Sequence, residues 1–310
     1  KQKTAYEISL GLVGSEMCIR DRYVGSSPTS YVDPLGLFIC AKGTGVKDGK
    51  KVVDEFVNLL NRCGASVKIE GCCGRKGYLK IVWNGAPPNK TNVFGWFVHT
   101  MATGKQEAYF DLIKGNSGGN AFVGYFGAMA QQIWMGDFRA LQAILPLESG
   151  QNDERPSVCE LLLHELAERW CAVVPQPVGE RKGAIVPFEE WWKGGEFRQE
   201  RWKYWYGYCH EFAMDVQSLY RLSKGVAFWI VLGILPPQRA GGASIVYASL
   251  FRMITVTVKY TISRGRTWQL VGPVWRIPPP PKKREELPRP PRRIQERIEW
   301  VLRKWRQLTR

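Results

Sequence analysis

Apolar residues in the first half of the chain follow two spacings, one typical of helices and one of strands. Lys50–Cys63 has apolar residues three or four positions apart and is followed by Gly64, which predicts an amphipathic helix. Ala65–Glu70 and Gly77–Trp83 alternate apolar and polar residues on either side of a glycine-containing turn and predict a β-hairpin. Further short strands are predicted at Val93–His99, Glu107–Ile113 and Ala121–Phe126, whereas Ile133–Leu145 fits either structure.

The second half contains the clearest helical patterns. Ser157–Val173 is predicted to be a helix with Pro156 at its first turn, and Gly207–Ser223 is predicted to be a second helix. Beyond them, Val226–Leu235 fits a buried helix or strand, and Ile254–Ile262 alternates like a strand. Strands that precede helices predict an α+β fold, with a small, mostly antiparallel sheet followed by a pair of helices.

Residues 276–310 have a different character. They contain 12 basic and four acidic residues, and proline runs near Pro278–Pro281 and Pro288–Pro291 predict a stiff linker. The apolar residues that follow lie at helical spacing among arginines, which predicts a basic amphipathic helix. This helix could be a solvated tail, or it could bind a partner groove, an acidic membrane surface or nucleic acid.

Composition narrows the function classes only slightly. The 310 residues are 45% hydrophobic and 23% charged, which is typical of a globular protein. The longest clean apolar run is Val226–Leu235, far below the roughly 18 to 20 residues needed to span a bilayer, so we do not expect an integral membrane protein. The excess of 44 Lys and Arg over 28 Asp and Glu, a formal charge of +16, favours an acidic partner or surface.

Two of the three histidines begin similar phrases on the predicted helices, His164-Glu-Leu-Ala-Glu168 and His210-Glu-Phe-Ala. Residues four positions apart share one face of a helix, so His164 and Glu168 can point at one ion while Glu165 flanks it. With His210 as third ligand, two nitrogens and one oxygen would leave the fourth position of a zinc tetrahedron open. Glu165 would then act as the general base, which removes a proton from water.

Residues 130–220, with the phrase His164-Glu-Leu-x-Glu168 followed by Tyr206 and His210, resemble zincin-like metallopeptidase domains. The resemblance implies a zinc-dependent peptidase with Glu165 as the catalytic residue. Glu168 stands where zincins have a second histidine. The alternative is a helix that binds no metal, in which Glu165 and Arg169 form an exposed ion pair.

Other residues suit chemistry less well. His99, at a predicted strand end, is a weaker candidate for a ligand or oxyanion donor. Cys63, Cys72 and Cys73 lack the paired spacing of a structural zinc site, and Cys159 and Cys171 are expected to be small buried residues. The aromatic residues of Trp191–Tyr208 could stack bases in a basic groove or cover the core; the basic residues among them are Lys193, Arg198, Arg201 and Lys203.

Residues 1–22 resemble translated sequencing adapter. Lys1–Ile8 back-translates to one common adapter, and Leu12–Asp21 back-translates to a second adapter of the transposase type. They lack the long apolar region of a signal peptide, so we set them apart from fold reasoning. The natural N-terminus is expected to lie elsewhere, and the chain is expected to be the 3′ end of a longer gene.

The next segment, residues 23–37, contains a specific motif. Its proline and glycine residues predict turns. The pattern P-x-x-x-x-D-P-x-G-L resembles the end of the core of RHS/YD-repeat proteins and is met by Pro28, Asp33, Pro34, Gly36 and Leu37. The resemblance implies self-cleavage between Leu37 and Phe38, with Asp33 in the autocleavage motif, and release of a C-terminal toxin.

These patterns predict four segments: an adapter-derived stretch (1–22), the end of an RHS core (23–37), an effector domain (38–275, metal site within 157–223) and a basic tail (276–310). The leading hypothesis is a zinc-dependent hydrolase, a peptidase acting on protein in a target-cell cytoplasm. The resemblance implies delivery as part of a larger secreted protein and a cognate immunity protein. The alternatives are a nucleic-acid-targeting toxin and a non-catalytic module that binds through its basic helix.

Overall fold

The computed structural model describes residues 38–104, 107–117, 124–125, 127, 129–150, 156–173, 198–225, 230–238, 242–248, 253–259 and 292–309. The helices are α1 (Gly49–Arg62), α2 (Val93–Thr103), α3 (Met135–Gln142), α4 (Val158–Val173), α5 (Arg198–Ser223) and α6 (Arg292–Thr309). The strands are β1 (Ile39–Thr44), β2 (Val67–Cys72), β3 (Leu79–Trp83), β4 (Ala108–Ile113), β5 (Gly124–Tyr125), β6 (Gln131–Trp134), β7 (Ile230–Gln238), β8 (Gly242–Ala248) and β9 (Met253–Lys259). The ambiguous stretch Ile133–Leu145 thus divides into the end of β6 and the helix α3.

The main sheet has the strand order β2-β3-β1-β4-β6-β5. The pairs β1–β4 and β4–β6 are parallel, and the other three pairs are antiparallel. Strands β7, β8 and β9 form a separate antiparallel sheet. The predicted α+β class is confirmed, as is the hairpin of β2 and β3.

Helices α1 to α4 pack on one face of the main sheet. Alternation along β4 turns Phe110 and Leu112 to this face, where they join the apolar stripe of α1 in one buried core. Phe56 of α1 lies with its ring centroid 6.0 Å from that of Phe110. Burying a side chain of this size contributes about 2 to 3 kcal/mol, so the helix is held mainly by this face.

The segment predicted as a strand at Val93–His99 is helix α2, so that prediction was wrong. The Asn92 side chain caps the helix by accepting a hydrogen bond from the Gly95 backbone N–H at 2.9 Å. Most of the helix is buried, and its sequence is accordingly apolar over nearly its whole length. Such a short apolar run has no clear periodicity, and a largely buried helix can therefore be mistaken for a buried strand.

Helix α4 begins with a capping box. Ser157 Oγ accepts a hydrogen bond from the backbone N–H of Glu160 at 3.1 Å, and the Glu160 carboxylate accepts one from the backbone N–H of Ser157 at 3.4 Å. The same carboxylate forms a buried ion pair with Arg221 of α5, at 2.9 Å. The start of α4 and the end of α5 are therefore fixed to each other.

Cysteine pairing was not predicted. Disulfides join Cys40 to Cys73 and Cys63 to Cys159. The expectation that Cys159 is simply a small buried residue was wrong, because its sulfur ties the start of α4 to the end of α1. Cys171 is a free, buried thiol, as expected.

Helix α6 packs against α5. Arg297 Nε donates a hydrogen bond to Asp215 Oδ1 at 2.6 Å, and the Trp300 and Phe212 rings meet at 6.2 Å. Val301 and Leu308 are buried. The predicted helix is confirmed, but it is not a solvated tail, because its apolar stripe contacts its own chain. Among the described helices, none combines the length and apolar character that crossing a bilayer requires.

Candidate metal centre

The phrase His164-Glu-Leu-Ala-Glu168 lies in the middle of α4, where every residue is buried. One helical turn separates His164 from Glu168, and the ring Nε2 of His164 lies 3.0 Å from Glu168 Oε1. The exposed ion pair between Glu165 and Arg169 is excluded, because Glu165 is 4% exposed and Arg169 is fully buried.

Helix α5 brings His210 to the same point. Its Nδ1 lies 2.7 Å from Glu168 Oε1 and 3.1 Å from His164 Nε2. The two imidazole rings meet edge to face, with centroids 4.7 Å apart. His164, Glu168 and His210, hereafter the metal group, thus offer one ligand atom each at a common point.

A glutamine on α5 fixes the orientation of the first histidine. His164 Nδ1 lies 2.8 Å from Gln217 Oε1, a carbonyl oxygen that only accepts hydrogen bonds. The proton of a neutral His164 therefore sits on Nδ1, and the lone pair of Nε2 points into the metal group. Histidines that bind metals are oriented in the same way by a partner on the other ring nitrogen.

Glu165 lies beside the metal group. Gln131 Nε2 donates hydrogen bonds to Glu165 Oε2 at 2.6 Å and to Glu168 Oε2 at 3.0 Å. A Cβ atom on Gly124 would overlap the Glu165 carboxylate, so a larger residue at this position of β5 would displace that carboxylate. The amide of Gln131 thus links the two carboxylates, and β5 covers one of them.

The buried charges shift the pKa values in opposite directions. Burial raises the pKa of Glu165, and the nearby Glu168 carboxylate raises it further, to about 8. Burial also disfavours the charged form of Glu168, but His164 and His210 outweigh it and hold the pKa of Glu168 well below its usual range. For His164, burial lowers the pKa, but Glu168 and Glu165 outweigh it and the net shift is upward.

The donor set fits a zinc ion. Two imidazole nitrogens and one carboxylate oxygen form a known ligand set of catalytic zinc sites, in which a fourth position stays open. Tetrahedral zinc holds neighbouring ligand atoms roughly 3.3 Å apart, close to the 2.7 to 3.1 Å measured here. The three residues could therefore bind a metal ion with little rearrangement.

Neither His99 nor Cys209, which is the neighbour of His210 in sequence, belongs to this group. His99 is borne by α2 rather than by a strand, and its ring meets that of Trp83 at 5.0 Å. His99 is partly buried, and this burial lowers its pKa. Cys209 precedes His210, but burial and its contact with Cys171 raise the pKa of the Cys209 thiol well above its ordinary value, so it is not an activated nucleophile.

Several predictions fall outside the described residues. These are the adapter-like stretch, the motif of Pro28, Asp33, Pro34, Gly36 and Leu37, and the aromatic segment over residues 191–197. Of the predicted aromatic segment Trp191–Tyr208, the structure describes only the helical backbone from Arg198 onwards.

Sequence reasoning missed two residues of the site. Gln217 lies seven positions after His210, two helical turns along the same face, so the spacing could have indicated it. Gln131 lies in a short strand far away in sequence, where no pattern marks it.

Comparison of the chain with protein-family models, with curated proteins and with solved structures found no match. The resemblances to RHS-repeat proteins and to zincins therefore stay predictions.

Proposed function

We propose that the chain is a zinc-dependent hydrolase whose reaction is peptide hydrolysis. The observation that supports this most directly is the convergence of His164 Nε2, His210 Nδ1 and a Glu168 oxygen, 2.7 to 3.1 Å apart, from two packed helices. An additional carboxylate, Glu165, lies next to them, as acid–base chemistry on water requires.

The three ligands would supply different donor atoms to the ion. The two imidazoles supply neutral nitrogen donors, and Glu168 supplies a negative oxygen that offsets part of the charge of a divalent ion. When bound, zinc polarises a carbonyl group and makes water more acidic. Gln217 keeps the His164 proton on Nδ1, away from the ion.

In this proposal Glu165 is the general base. It accepts a proton from the attacking water and passes it to the leaving amine. Burial and the nearby Glu168 carboxylate both raise its pKa, and a raised pKa brings a carboxyl group closer to the range in which it can accept and donate a proton near neutral pH.

The biological setting is proposed from the sequence resemblance alone. Pro28, Asp33, Pro34, Gly36 and Leu37 would mark the end of an RHS core, and residues 38–275 would be its released toxin. The substrate would be a protein of the target cell, and a cognate immunity protein would block the site.

Elemental analysis of the full chain, purified without chelator, tests the metal. We expect about one zinc per chain in the wild type, and loss of the zinc in His164→Ala and in His210→Ala. His99→Ala is the matched control, because His99 lies outside the metal group and should leave the zinc content unchanged. A folded wild-type chain without metal would contradict the proposal.

A peptide-library digest tests the reaction. The zinc-loaded chain should cut peptides, lose the activity on treatment with a chelator and regain it when zinc is returned. Zinc binding without hydrolysis of any peptide would leave a metal site and reject the peptidase.

A further inference from the structure

We infer that Gln131 is a positioning residue of the metal centre, which acts through Glu168: its side-chain amide holds one carboxylate oxygen so that the other faces the two histidines. The inference rests on the proposed binding of a metal by His164, Glu168 and His210.

The sheet places Gln131 rigidly. It begins β6, which lies between β4 and β5, and it pairs with Phe110 of β4. Gln131 and Ile133 point to the helix-covered face and are fully buried, whereas Gln132 between them points to the other face. The amide therefore reaches the metal group from a strand, and not from either helix that carries a ligand.

The hydrogen bonds of Gln131 match the chemistry of its neighbours. A primary amide has two N–H donors on one nitrogen, and here that nitrogen lies 2.6 Å from Glu165 and 3.0 Å from Glu168. Each carboxylate can thus receive one donor. Turning the amide around would place its carbonyl oxygen against two carboxylates, so these neighbours fix which way it points.

The two oxygens of Glu168 consequently have different partners. Oε2 accepts from Gln131, whereas Oε1 lies 3.0 Å from His164 Nε2 and 2.7 Å from His210 Nδ1. Without the amide, the contacts of Oε1 alone would set the rotation of the carboxylate about its terminal bond, because nothing else on the described residues is seen to hold Oε2.

Stability alone does not account for a glutamine at this place. Among the described residues, its carbonyl oxygen is buried and has no hydrogen-bond partner. Such an orphaned group costs about 1 to 3 kcal/mol. A residue that keeps this cost and still donates to two carboxylates is better explained by the site than by packing.

Zinc affinity of the full chain, measured by competition with a chromophoric chelator, tests the inference. Gln131→Met keeps the length of the side chain and removes both donors. We expect its zinc Kd to rise about 10- to 100-fold, as is typical when a partner of a metal ligand is lost. Gln132→Met is the matched control on the opposite face, and its Kd should stay within about 2-fold of the wild type.

A double-mutant cycle separates positioning from a general structural effect. If Gln131 acts through Glu168, Gln131→Met should change the Kd of the Glu168→Gln variant by less than about 2-fold. If Gln131→Met does not fold, Gln131→Asn takes its place, since it keeps the amide but withdraws it by roughly 1.5 Å, one carbon–carbon bond.

Three results would overturn the inference. An unchanged Kd in folded Gln131→Met, with zinc still lost in His164→Ala, would reject the role of Gln131 and leave the zinc site standing. An equal loss of affinity with and without Glu168 would show that Gln131 does not act through it. A folded wild-type chain that binds no zinc would reject both this inference and the proposed function.

Discussion

Helices α4 and α5 meet at two buried polar clusters that differ in how their charges are satisfied. Near the start of α4, Glu160 is paired with Arg221 and receives hydrogen bonds from Ser149 and Ser157, and these four residues form the Glu160 cluster. Two turns further along, Glu168 faces His164 and His210 in the metal group. Both carboxylates are buried at the same interface.

The difference lies in what each carboxylate meets. Glu160 faces a guanidinium group, which is always charged and only donates hydrogen bonds, so this cluster is complete without any further ion. Glu168 instead faces two ring nitrogens, of which His164 Nε2 carries a lone pair when the proton of the neutral ring sits on Nδ1 beside Gln217. These three donor atoms can share a metal ion in place of the protons that they would otherwise hold. The Glu160 cluster therefore reads as structural, and the metal group as a binding site.

The largest expected effect that would distinguish a binding site from a structural cluster is a loss of activity on substitution of Glu165. Glu165→Gln removes the proposed base and keeps the shape of the side chain, so we expect peptide hydrolysis to fall about 10²- to 10⁴-fold. Zinc content should stay near that of the wild type. The initial rate of cleavage and the zinc content are measured on the same preparation, and an active Glu165→Gln variant would reject the role as base.

The next effect falls on the other cluster. Glu160→Gln leaves Arg221 as a buried charge without its carboxylate, which should lower the free energy of unfolding by about 3 to 5 kcal/mol. Denaturant unfolding measures this loss. Molecules that remain folded should bind zinc normally, and a weakened zinc affinity would show that the two clusters are coupled.

Glu168→Gln is expected to weaken zinc binding, whereas Glu160→Gln is expected to lower the stability of the fold. It replaces a negative oxygen ligand by a neutral amide, and we expect the zinc Kd to rise at least about 100-fold, at a temperature where the variant is folded. The chelator competition that is used for Gln131 measures it. A Glu168→Gln chain with wild-type affinity would mean that the carboxylate is not a ligand.

The smallest effect is on pH dependence. Because the pKa of His164 is raised, its ring keeps a proton to a higher pH than an ordinary histidine, and zinc must displace that proton. Zinc affinity should therefore fall as the pH falls below this pKa, by about 10-fold per pH unit for one displaced proton. Isothermal titration at several pH values checks it, and an affinity that is flat from pH 6 to 8 would contradict it.

The residues of the metal group were predicted from the sequence more successfully than the elements and disulfides of the fold around the main sheet. His164, Glu168 and His210 were found because helical spacing is regular, and a four-residue step places two side chains on one face. Helix α2 was missed, although Asn92 at its start is a capping residue, because its apolar sequence shows no clear period. The pairs Cys40–Cys73 and Cys63–Cys159 could not be deduced, since spacing does not determine which cysteines pair.

Gln131 shows a further limit of sequence reasoning. It is a single polar residue in a four-residue strand, and only the pairing of β6 with β4 turns it toward α4. Such a residue gains its role from tertiary structure, because contacts between distant segments leave no local periodicity. The same holds for Gly124, whose missing side chain makes room for Glu165.

The disulfides Cys40–Cys73 and Cys63–Cys159 bear on the compartment in which this fold is stable. Glutathione keeps thiols reduced in a cytosol, whereas disulfides persist in oxidising compartments. Cys63 and Cys159 are almost fully buried, while Cys73 is partly exposed, so a reductant reaches the bond between Cys40 and Cys73 first. Under reducing conditions the Cys40–Cys73 bond is therefore expected to open before the Cys63–Cys159 bond, which anchors helix α4 and the metal group on it.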